Sequence, residues 1–406
     1  WTWAASRYTD RLAHTDNTSA MAPITEAGPW SMVSAGDEHF LAIKADGTLW
    51  SWGGNSSGEL GNGMADYTVY STPTQVGTDS DWAYVDAGYG NSAAIKQDGS
   101  LYVWGAIYVP TGTGSYTTAY VSTALDAANS YQKVEVSERR VVVAQRTDGT
   151  IWSWSQDQSY ANNPFGTFSE PTQLFAGTSW NDYAVSSAYT GQHALAVRGD
   201  GTLWGVGDSG DHQLALEPVG LNAANKVNTA IQIGSDSDWA KVAAVSGASF
   251  AVKQDGTLWG WGNNKYGALG DGTAVPRIDP VQLDFTATIS SIESNTTDGG
   301  ITLVDGQGRI WQWGSDDDFS GLYNDFLNPA SYIYPTQHDD GYNFRLTSFE
   351  PEFVVPLPRL IYDAYGFVGE RYDSGTTAVG TEASSTPLDP LYSNFFQMQE
   401  AIELGL

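Results

Sequence analysis

The sequence predicts an all-β fold, a seven-bladed β-propeller of four-stranded antiparallel blades. The first observation behind this is a repeat with a period of about fifty residues, which is typical of arrays of small structural units. The second is an Asp-Gly pair between two strand-like runs, a pair that hairpins favour because both turn positions take positive φ. The fullest copy reads Asp-Gly-Thr-Leu-Trp-Ser-Trp-Gly, and the aligned glycines are Gly47, Gly99, Gly149, Gly201, Gly256 and Gly308.

Each copy contains four strand-like runs in a fixed order. In the first copy, residues 30–36 precede residues 40–44, and the Asp-Gly turn leads into residues 49–52. A fourth run, residues 73–76, begins at a proline, which suits the first position of an edge strand. Four short antiparallel strands per unit predict the blade of a propeller.

The two ends of the chain are expected to build one blade together. Trp1-Thr2-Trp3 matches the Trp-x-Trp strand, and residues 346–355 resemble residues 33–42. Strands from both ends would close the ring without an exposed sheet edge. We therefore predict a propeller over residues 1–355 that both termini close, although a weak echo at residues 361–366 leaves an extra degenerate copy open.

Residues 356–406 depart from the repeat and are expected to form a C-terminal extension. They are rich in Ser, Thr, Gly and Pro up to residue 390, and residues 393–404 have an apolar spacing that predicts a short helix. This tail either packs on the propeller or docks on a partner or on the rest of a longer chain.

Two groups of residues carry a resemblance to a known family. Residues 33–43 read Val-Ser-Ala-Gly-Asp-Glu-His-Phe-Leu-Ala-Ile, and residues 55–63 and 264–272 share the pattern Asn-x-x-Gly-x-Leu-Gly-x-Gly. In this order they resemble the regulator of chromosome condensation repeat family, over roughly residues 1–355. The resemblance implies a seven-bladed propeller but no single activity, because functions reside in sites added to a fold. The Gly-Trp-Arg-His-Thr signature of the family's plant ultraviolet-light receptor is missing, which disfavours a photoreceptor.

Composition argues against several classes of partner. The chain has 18 Lys and Arg against 47 Asp and Glu, a net charge of −29. Such a surface repels phosphate backbones, so we predict no nucleic-acid partner. No run of about 18 apolar residues is present, so we predict no membrane span. The charge either keeps the protein soluble or attracts cations or a basic partner.

The sequence offers no recognisable catalytic motif and no cysteine. We find no nucleophile elbow, phosphate-binding loop or zinc-binding helix. His39 and His193 occupy a repeat position and are expected to cap turns within blades. Asp316, Asp317 and Asp318 are weak candidates for a calcium site. We therefore predict no catalytic residue, no cofactor and no metal site, while the many carboxylates leave a polysaccharide-active enzyme open.

Long insertions after the Trp-x-Trp strand carry the candidate binding site. They occupy the same slot in every copy, at about residues 54–72, 106–128, 155–170, 208–230, 263–279 and 315–334, so we expect them on one face of the disc. Aromatic residues among Ser, Thr, Gly and Asn are typical of adaptable binding loops. These rings either bind a ligand or cover the ends of the blades. The candidate residues are Tyr67, Tyr70, Tyr108, Tyr116, Tyr120, Phe165, Phe168, Phe319 and Tyr323.

The first hypothesis is a non-enzymatic binding or scaffold module that engages a protein or a glycan through this face. Because the chain begins at Trp1 rather than Met, a leader has been removed or the chain is part of a longer protein. Both readings favour a secreted or surface-displayed location, as in a fibre or virion. The alternatives are a guanine-nucleotide exchange factor for a small GTPase, as the resemblance implies, and a polysaccharide-active enzyme.

Overall fold

The computed structural model is all-β in the residues that it describes. Those residues are 2–3, 30–36, 38–110, 116–137, 140–155, 164–167, 171–177, 179–186, 192–217, 225–245, 247–264, 267–294, 301–307, 309–313, 336–337, 361–363 and 366–368.

The strands are numbered in chain order. The first half contains β1 (Thr2–Trp3), β2 (Trp30–Ala35), β3 (His39–Lys44), β4 (Leu49–Asn55), β5 (Asp66–Gln75), β6 (Trp82–Ala87), β7 (Asn91–Lys96), β8 (Leu101–Pro110), β9 (Tyr116–Asp126), β10 (Tyr131–Val136), β11 (Val141–Arg146), β12 (Ile151–Ser155) and β13 (Thr172–Gln173). The second half contains β14 (Trp180–Val185), β15 (His193–Arg198), β16 (Leu203–Asp208), β17 (Lys226–Ile233), β18 (Trp239–Val245), β19 (Ala248–Lys253), β20 (Leu258–Gly262), β21 (Arg277–Gln282), β22 (Ile289–Ser294), β23 (Ile301–Asp305), β24 (Ile310–Trp313), β25 (Thr336–Gln337), β26 (Ile361–Asp363) and β27 (Gly366–Val368).

These strands form six four-stranded antiparallel sheets in simple sequential order, as the repeat predicts. We call them blade 1 (β2–β5), blade 2 (β6–β9), blade 3 (β10–β13), blade 4 (β14–β17), blade 5 (β18–β21) and blade 6 (β22–β25). The first strands of successive blades pack against one another, so these strands lie innermost.

A seventh sheet joins the two ends of the chain. β1 pairs with β27, where Trp3 lies opposite Phe367, and β27 pairs with β26. Sequence reasoning assigned the C-terminal contribution to residues 346–355, whereas the observed strands are Ile361–Asp363, within the weak echo at 361–366, and Gly366–Val368. Residues 346–355 and the expected helix at 393–404 lie outside the described residues, and the boundary at residue 355 stays a prediction.

The Asp-Gly turns are held by their own side chains. In blade 1, Asp46 Oδ1 accepts hydrogen bonds from the Thr48 amide at 3.0 Å and the Thr48 hydroxyl at 2.6 Å. The same hydroxyl accepts from Trp50 Nε1 at 2.8 Å. Gly47 has a φ of +79°, which a side chain would disfavour. The repeated Asp-Gly-Thr-x-Trp spacing thus encodes both the turn and the position of the following tryptophan.

Aromatic side chains fill the space between blades. The inner tryptophan of each complete Trp-x-Trp strand is buried, as at Trp52, Trp154 and Trp261. The outer tryptophan is partly exposed and is covered by a cation from the neighbouring strand: Lys44 Nζ lies 3.5 Å from the Trp50 ring centroid.

Two buried histidines bridge blades rather than cap turns within a blade. His39 Nε2 in blade 1 lies 2.8 Å from the Ser92 hydroxyl in blade 2, and that hydroxyl donates to the Glu59 carbonyl at 2.8 Å. The same carbonyl accepts from Trp104 Nε1 at 2.7 Å. Burial lowers the pKa of His39 to about 3, so the ring is neutral at ordinary pH. His193 and Ser249 repeat the contact between blades 4 and 5, at 2.7 Å.

Polar side chains on the inner strands tie each blade to the next. Ser34 Oγ accepts from the Ala87 amide at 2.8 Å, and Asp86 Oδ2 accepts from the Val136 amide at 2.7 Å. Glu135 Oε2 continues the series by accepting from the amide of Val185 at 2.8 Å. The inner strand is the edge of its sheet, and a neighbouring blade therefore satisfies backbone donors that no strand pairs with.

Candidate functional site

The blades present two different faces. On one, which we call the turn face, the Asp-Gly turn of a blade contacts the start of the next inner strand, as where the Trp82 amide donates to the Gly47 carbonyl at 3.1 Å. On the other, the loop face, each insertion begins beside the loop that joins the first two strands. The amides of Gly54, Ala106, Asp208 and Asn263 donate to the carbonyls of Glu38, Gly90, Gln192 and Gly247 at 2.6 to 2.8 Å. The insertions of blades 1, 2, 4 and 5 therefore emerge on one face, as the sequence predicted.

The insertion of blade 2 is an extended hairpin rather than a loop. β8 and β9 continue past the sheet, and Pro110 lies opposite Tyr116. Ile107 and Val109 on this extension are buried in the core that blade 2 shares with its neighbours. The hairpin is therefore packed onto the blades, which agrees with the alternative that these insertions cover the blade ends, although the sequence predicted a loop at residues 106–128.

Exposed apolar side chains concentrate at the loop face of blades 1 and 2. Seven large apolar side chains in the described part of the chain are exposed, and five of them lie here. We call these five the blade 1–2 patch. They are Tyr67 (95% exposed), Val121 (52%), Met64 (48%), Tyr89 (46%) and Tyr120 (42%). An apolar cluster on a water-exposed face is the usual mark of a binding surface.

Short contacts bring the segments of this patch together. The Gly63 amide of blade 1 donates to the Tyr120 carbonyl of blade 2 at 3.0 Å. Gly58 packs on the Tyr120 ring, where an added Cβ would lie 2.5 Å from Cδ1, so only glycine fits there. On the other side, a Cβ on Gly90, next to Tyr89, would lie 3.3 Å from Ser57 Oγ. The loop of residues 55–64 thus lies between the two blade 2 segments.

The loop beneath the patch is fixed by Asn55, which is buried. Its Oδ1 accepts from the Leu60 amide at 3.2 Å, and its Nδ2 donates to the Met64 carbonyl at 3.2 Å. Glu59 is also buried, and its Oε2 accepts from the Ser57 amide at 2.6 Å. Burial raises the pKa of Glu59, and the nearby Glu38 adds to the rise. These bonds tie down the loop of residues 55–64, which carries Met64 of the patch.

The structure separates the sequence-predicted aromatic residues into different roles. Tyr67 and Tyr120 belong to the patch. Tyr70 is partly buried, and its hydroxyl donates to Asp66 Oδ2 at 3.0 Å, which raises the Tyr70 pKa. The backbones of Tyr108 and Tyr116 lie in the extended hairpin.

The prediction that Phe165 is an exposed binding residue is wrong. This residue is 2% exposed and packs in the core of blades 3 and 4. The Ser153 hydroxyl donates to its carbonyl at 3.0 Å, which draws the insertion back onto its own blade. Phe168, Phe319, Tyr323 and the acidic run at Asp316, Asp317 and Asp318 lie outside the described residues.

Sequence reasoning missed three members of the patch. Met64 and Val121 are single apolar residues in polar segments, and Tyr89 stands in the short loop between the first two strands of blade 2, which was not treated as an insertion. The usable signal for Tyr89 was its position between Gly88 and Gly90. Such a bulky residue in a tight loop has no core to enter.

The inner strands of blades 2 to 6 line a second candidate, an open cavity with a volume of about 790 Å³. Lys133 Nζ lies 2.9 Å from Asp182 Oδ1 and 3.2 Å from Glu135 Oε1, and it donates to the Tyr183 carbonyl at 2.7 Å. Asp182 and Glu135 also accept backbone amides of the next blades. Lys133, Glu135 and Asp182 therefore stabilise the contacts between neighbouring blades.

No group of three or more His, Asp or Glu residues arranged for a metal ion occurs in the part of the chain that the structure describes. Two Asp-x-Asp pairs bind lysines in the structure: Lys96 Nζ lies 2.7 Å from Asp79 and 3.0 Å from Asp81. Lys253 repeats this arrangement with Asp236 and Asp238. Among the described residues, no helix is long and apolar enough to cross a membrane.

Comparison with known families gives matches to one repeat. The regulator of chromosome condensation (RCC1) repeat matches residues 33–59 and 239–268, and a second description of the same repeat matches residues 255–294. These segments contain residues 33–43 and 264–272, on which the resemblance was based, and residues 55–59 of the other motif.

Several curated proteins are similar to the chain. The ultraviolet-B receptor UVR8 of Arabidopsis thaliana is 24% identical over 278 residues, which cover 66% of this chain and 62% of the receptor. The mitochondrial RCC1 domain-containing protein RUG3 of the same plant is 26% identical, with 65% and 60% covered. A human RCC1-like G exchanging factor-like protein is 24% identical, with 48% and 43% covered. The chain thus spans about three fifths of the length of the two plant relatives.

Among solved structures, Prp20p of Saccharomyces cerevisiae, described with its binding to Gsp1p and histones, has a TM-score of 0.68 and 16% identity. The match covers 91% of each chain, and it establishes the propeller fold.

The expectation of a secreted or surface-displayed protein is wrong. RUG3 is mitochondrial, the repeat is named for chromosome condensation, and the structural neighbour binds histones. The expectation came from the missing initiator methionine and the acidic surface. Neither feature specifies a compartment, because a negative net charge affects solubility and the charge of the partners that a protein attracts, not its location.

Proposed function

We propose that this chain, a member of the RCC1 repeat family, regulates another protein by binding it through the blade 1–2 patch on the loop face, and that this partner is a small GTPase whose guanine nucleotide it releases. The observation that carries the binding role is the blade 1–2 patch. The exchange activity draws its support from the relatives, which include an RCC1-like G exchanging factor-like protein and a yeast propeller that binds Gsp1p.

The proposed activity needs a rigid surface rather than catalytic side chains. If a propeller binds the nucleotide-free form of its partner more tightly than the loaded form, linkage requires that the nucleotide affinity fall by the same factor. The patch suits this because Asn55 and Glu59 fix its loop in advance, which lowers the entropic cost of binding.

Two other functions have less support. None of the relatives described above is a glycan-binding protein, and no observation in the structure favours a polysaccharide-active enzyme over a protein-binding module. We also propose that the protein does not catalyse a reaction of a small-molecule substrate.

Nucleotide release tests the proposal. Small GTPases from the same organism are loaded with a fluorescent GDP, and release is followed in excess GTP with and without the protein. We expect at least one GTPase to release GDP tenfold faster or more. Replacing both Tyr67 and Tyr120 by Ser should abolish the acceleration.

The matched control replaces Leu216 and Val275 by Ser, since both are exposed apolar residues but lie in blades 4 and 5. This variant should keep full activity. If no GTPase releases GDP faster and none forms a complex in gel filtration, the proposed function is refuted. A stable complex without faster release would retain binding and reject exchange.

A further inference from the structure

The two blades that carry the patch have an unusual charge balance. Across residues 30–126, which span blades 1 and 2, the sequence has ten carboxylates and two cations, Lys44 and Lys96. Lys44 lies at the turn-face end of β3, over the Trp50 ring. Lys96 lies on the turn face, bound to Asp79 and Asp81. Burial lowers its pKa, but the hydrogen bonds to these carboxylates outweigh that effect and hold the pKa above its ordinary value. The two cations of blades 1 and 2 therefore both lie at the turn face, away from the patch.

Three of these blades' carboxylates lie beside the patch. Glu38 approaches Gly54, at the start of the blade 1 insertion, within 3.0 Å of the position that a Cβ would take. Asp66 directly precedes Tyr67, and its Oδ1 accepts from the Thr68 amide at 3.0 Å. The third, Glu59, is buried under the loop, where the Ser57 amide holds it, and adds no exposed charge to this border. An apolar surface with this border repels anionic partners and attracts cations.

The patch residues themselves suit a cationic, apolar ligand. Tyrosine faces attract Lys and Arg side chains, and they also supply a large apolar area at low entropic cost. Met64 is a flexible thioether that adapts to irregular apolar side chains. Tyr67 and Val121 are the most exposed of the five patch residues.

We propose that the blade 1–2 patch binds a basic amphipathic segment of another protein, in which Lys or Arg residues flank aliphatic or aromatic anchors. The anchors lie against Met64, Tyr67, Tyr120 and Val121, and the cations face Glu38 and Asp66. This specifies the chemistry of the partner region in the proposed function. It can be tested without any GTPase, so the two proposals fail separately.

The test uses a fluorescein-labelled synthetic peptide of Leu and Lys with helical amphipathic spacing, and a matched peptide with Glu in place of Lys. Fluorescence anisotropy gives the affinity at 50 and 300 mM NaCl. We expect the Lys peptide to bind, the Glu peptide not to bind, and the added salt to weaken binding at least fivefold. Glu38→Gln combined with Asp66→Asn should also weaken binding at least fivefold.

Because any acidic protein attracts lysine peptides, the decisive comparison leaves charge unchanged. Tyr67→Ser with Tyr120→Ser should weaken binding at least tenfold, whereas Leu216→Ser with Val275→Ser should change it less than twofold. Circular dichroism confirms that both variants are folded. Equal losses in the two variants, no binding of the Lys peptide, or equal binding of the Glu peptide would overturn the proposal. A dimer in sedimentation that only the tyrosine variant dissociates would assign the patch to a second copy and also overturn it.

Discussion

The Asp-Gly turns provide a sharp test of how the blades are joined. Gly201 and Gly256 occupy the same position in blades 4 and 5, with φ of +81° and +88°. Their surroundings differ: a Cβ on Gly201 would lie 2.1 Å from the Ser237 carbonyl oxygen, while a Cβ on Gly256 would have no neighbour within 4 Å. Alanine at the two positions therefore imposes the same backbone strain but only one collision.

The two costs can be estimated separately. A left-handed alanine costs about 1 kcal/mol relative to glycine, so Gly256→Ala should lower the free energy of unfolding by that amount. Gly201→Ala adds overpacking against backbone, which costs roughly 1–3 kcal/mol more. The Trp239 amide donates to the Gly201 carbonyl at 3.0 Å, so this collision also disturbs the start of blade 5.

Urea unfolding followed by tryptophan fluorescence measures both variants. We expect Gly201→Ala to lose about 2 kcal/mol more than Gly256→Ala. Equal losses would show that the turn of blade 4 does not pack on blade 5, and the reasoning about blade contacts would be refuted.

Three further changes test the contacts between and within blades. Because burial lowers the pKa of His39 from 6.5 to about 3, the unfolded chain takes up a proton before the folded one does, and stability is lost as pH falls from 6.5 towards 3. The free energy of unfolding falls by about 1.4 kcal/mol per pH unit, or roughly 2 kcal/mol between pH 6.5 and pH 5. In urea unfolding, the His39→Gln variant should not show this loss of stability at low pH. Asp86→Ala leaves the Val136 amide without its acceptor and should lower the free energy of unfolding by about 1–3 kcal/mol, measured by urea unfolding. Asp86→Asn keeps an oxygen acceptor and should lower it less. Equal losses would show that the hydrogen bond from Asp86 to the next blade does not contribute to stability. Asn264→Ala removes the acceptor of the Leu269 amide at 2.9 Å and should lower the thermal midpoint by several degrees, and an unchanged midpoint would contradict the role of this buried amide.

The repeat made the fold predictable, because its signals are local. Asp46, Gly47 and Thr48 determine a hairpin without help from distant residues, and blades 3, 4 and 5 repeat the arrangement. The closure of the end sheet was harder, since pairing of β1 with β27 joins residues at opposite ends of the chain. A run of three residues such as Ile361–Asp363 carries too little pattern to compete with the longer segment at 346–355.

The site was less predictable than the fold because exposure depends on packing. Phe165 and Tyr67 occupy the same slot in different copies, yet Phe165 enters the core and Tyr67 is almost fully exposed. The difference arises from how each insertion folds back, which no local spacing records. His39 shows the same limit: its repeat position indicated a structural role, but the Ser92 partner lies 53 residues away in the next blade.

The central claim is that a protein partner binds the blade 1–2 patch, and photocrosslinking in cells tests it most directly. A photoreactive benzoylphenylalanine replaces Tyr120 in one variant and Val275 in another, and irradiation is followed by mass spectrometry of the adducts. We predict that position 120 captures a specific protein, crosslinked through a basic segment, and that position 275 does not. Capture of the same protein at position 275 alone, or no adduct at position 120, would contradict the account.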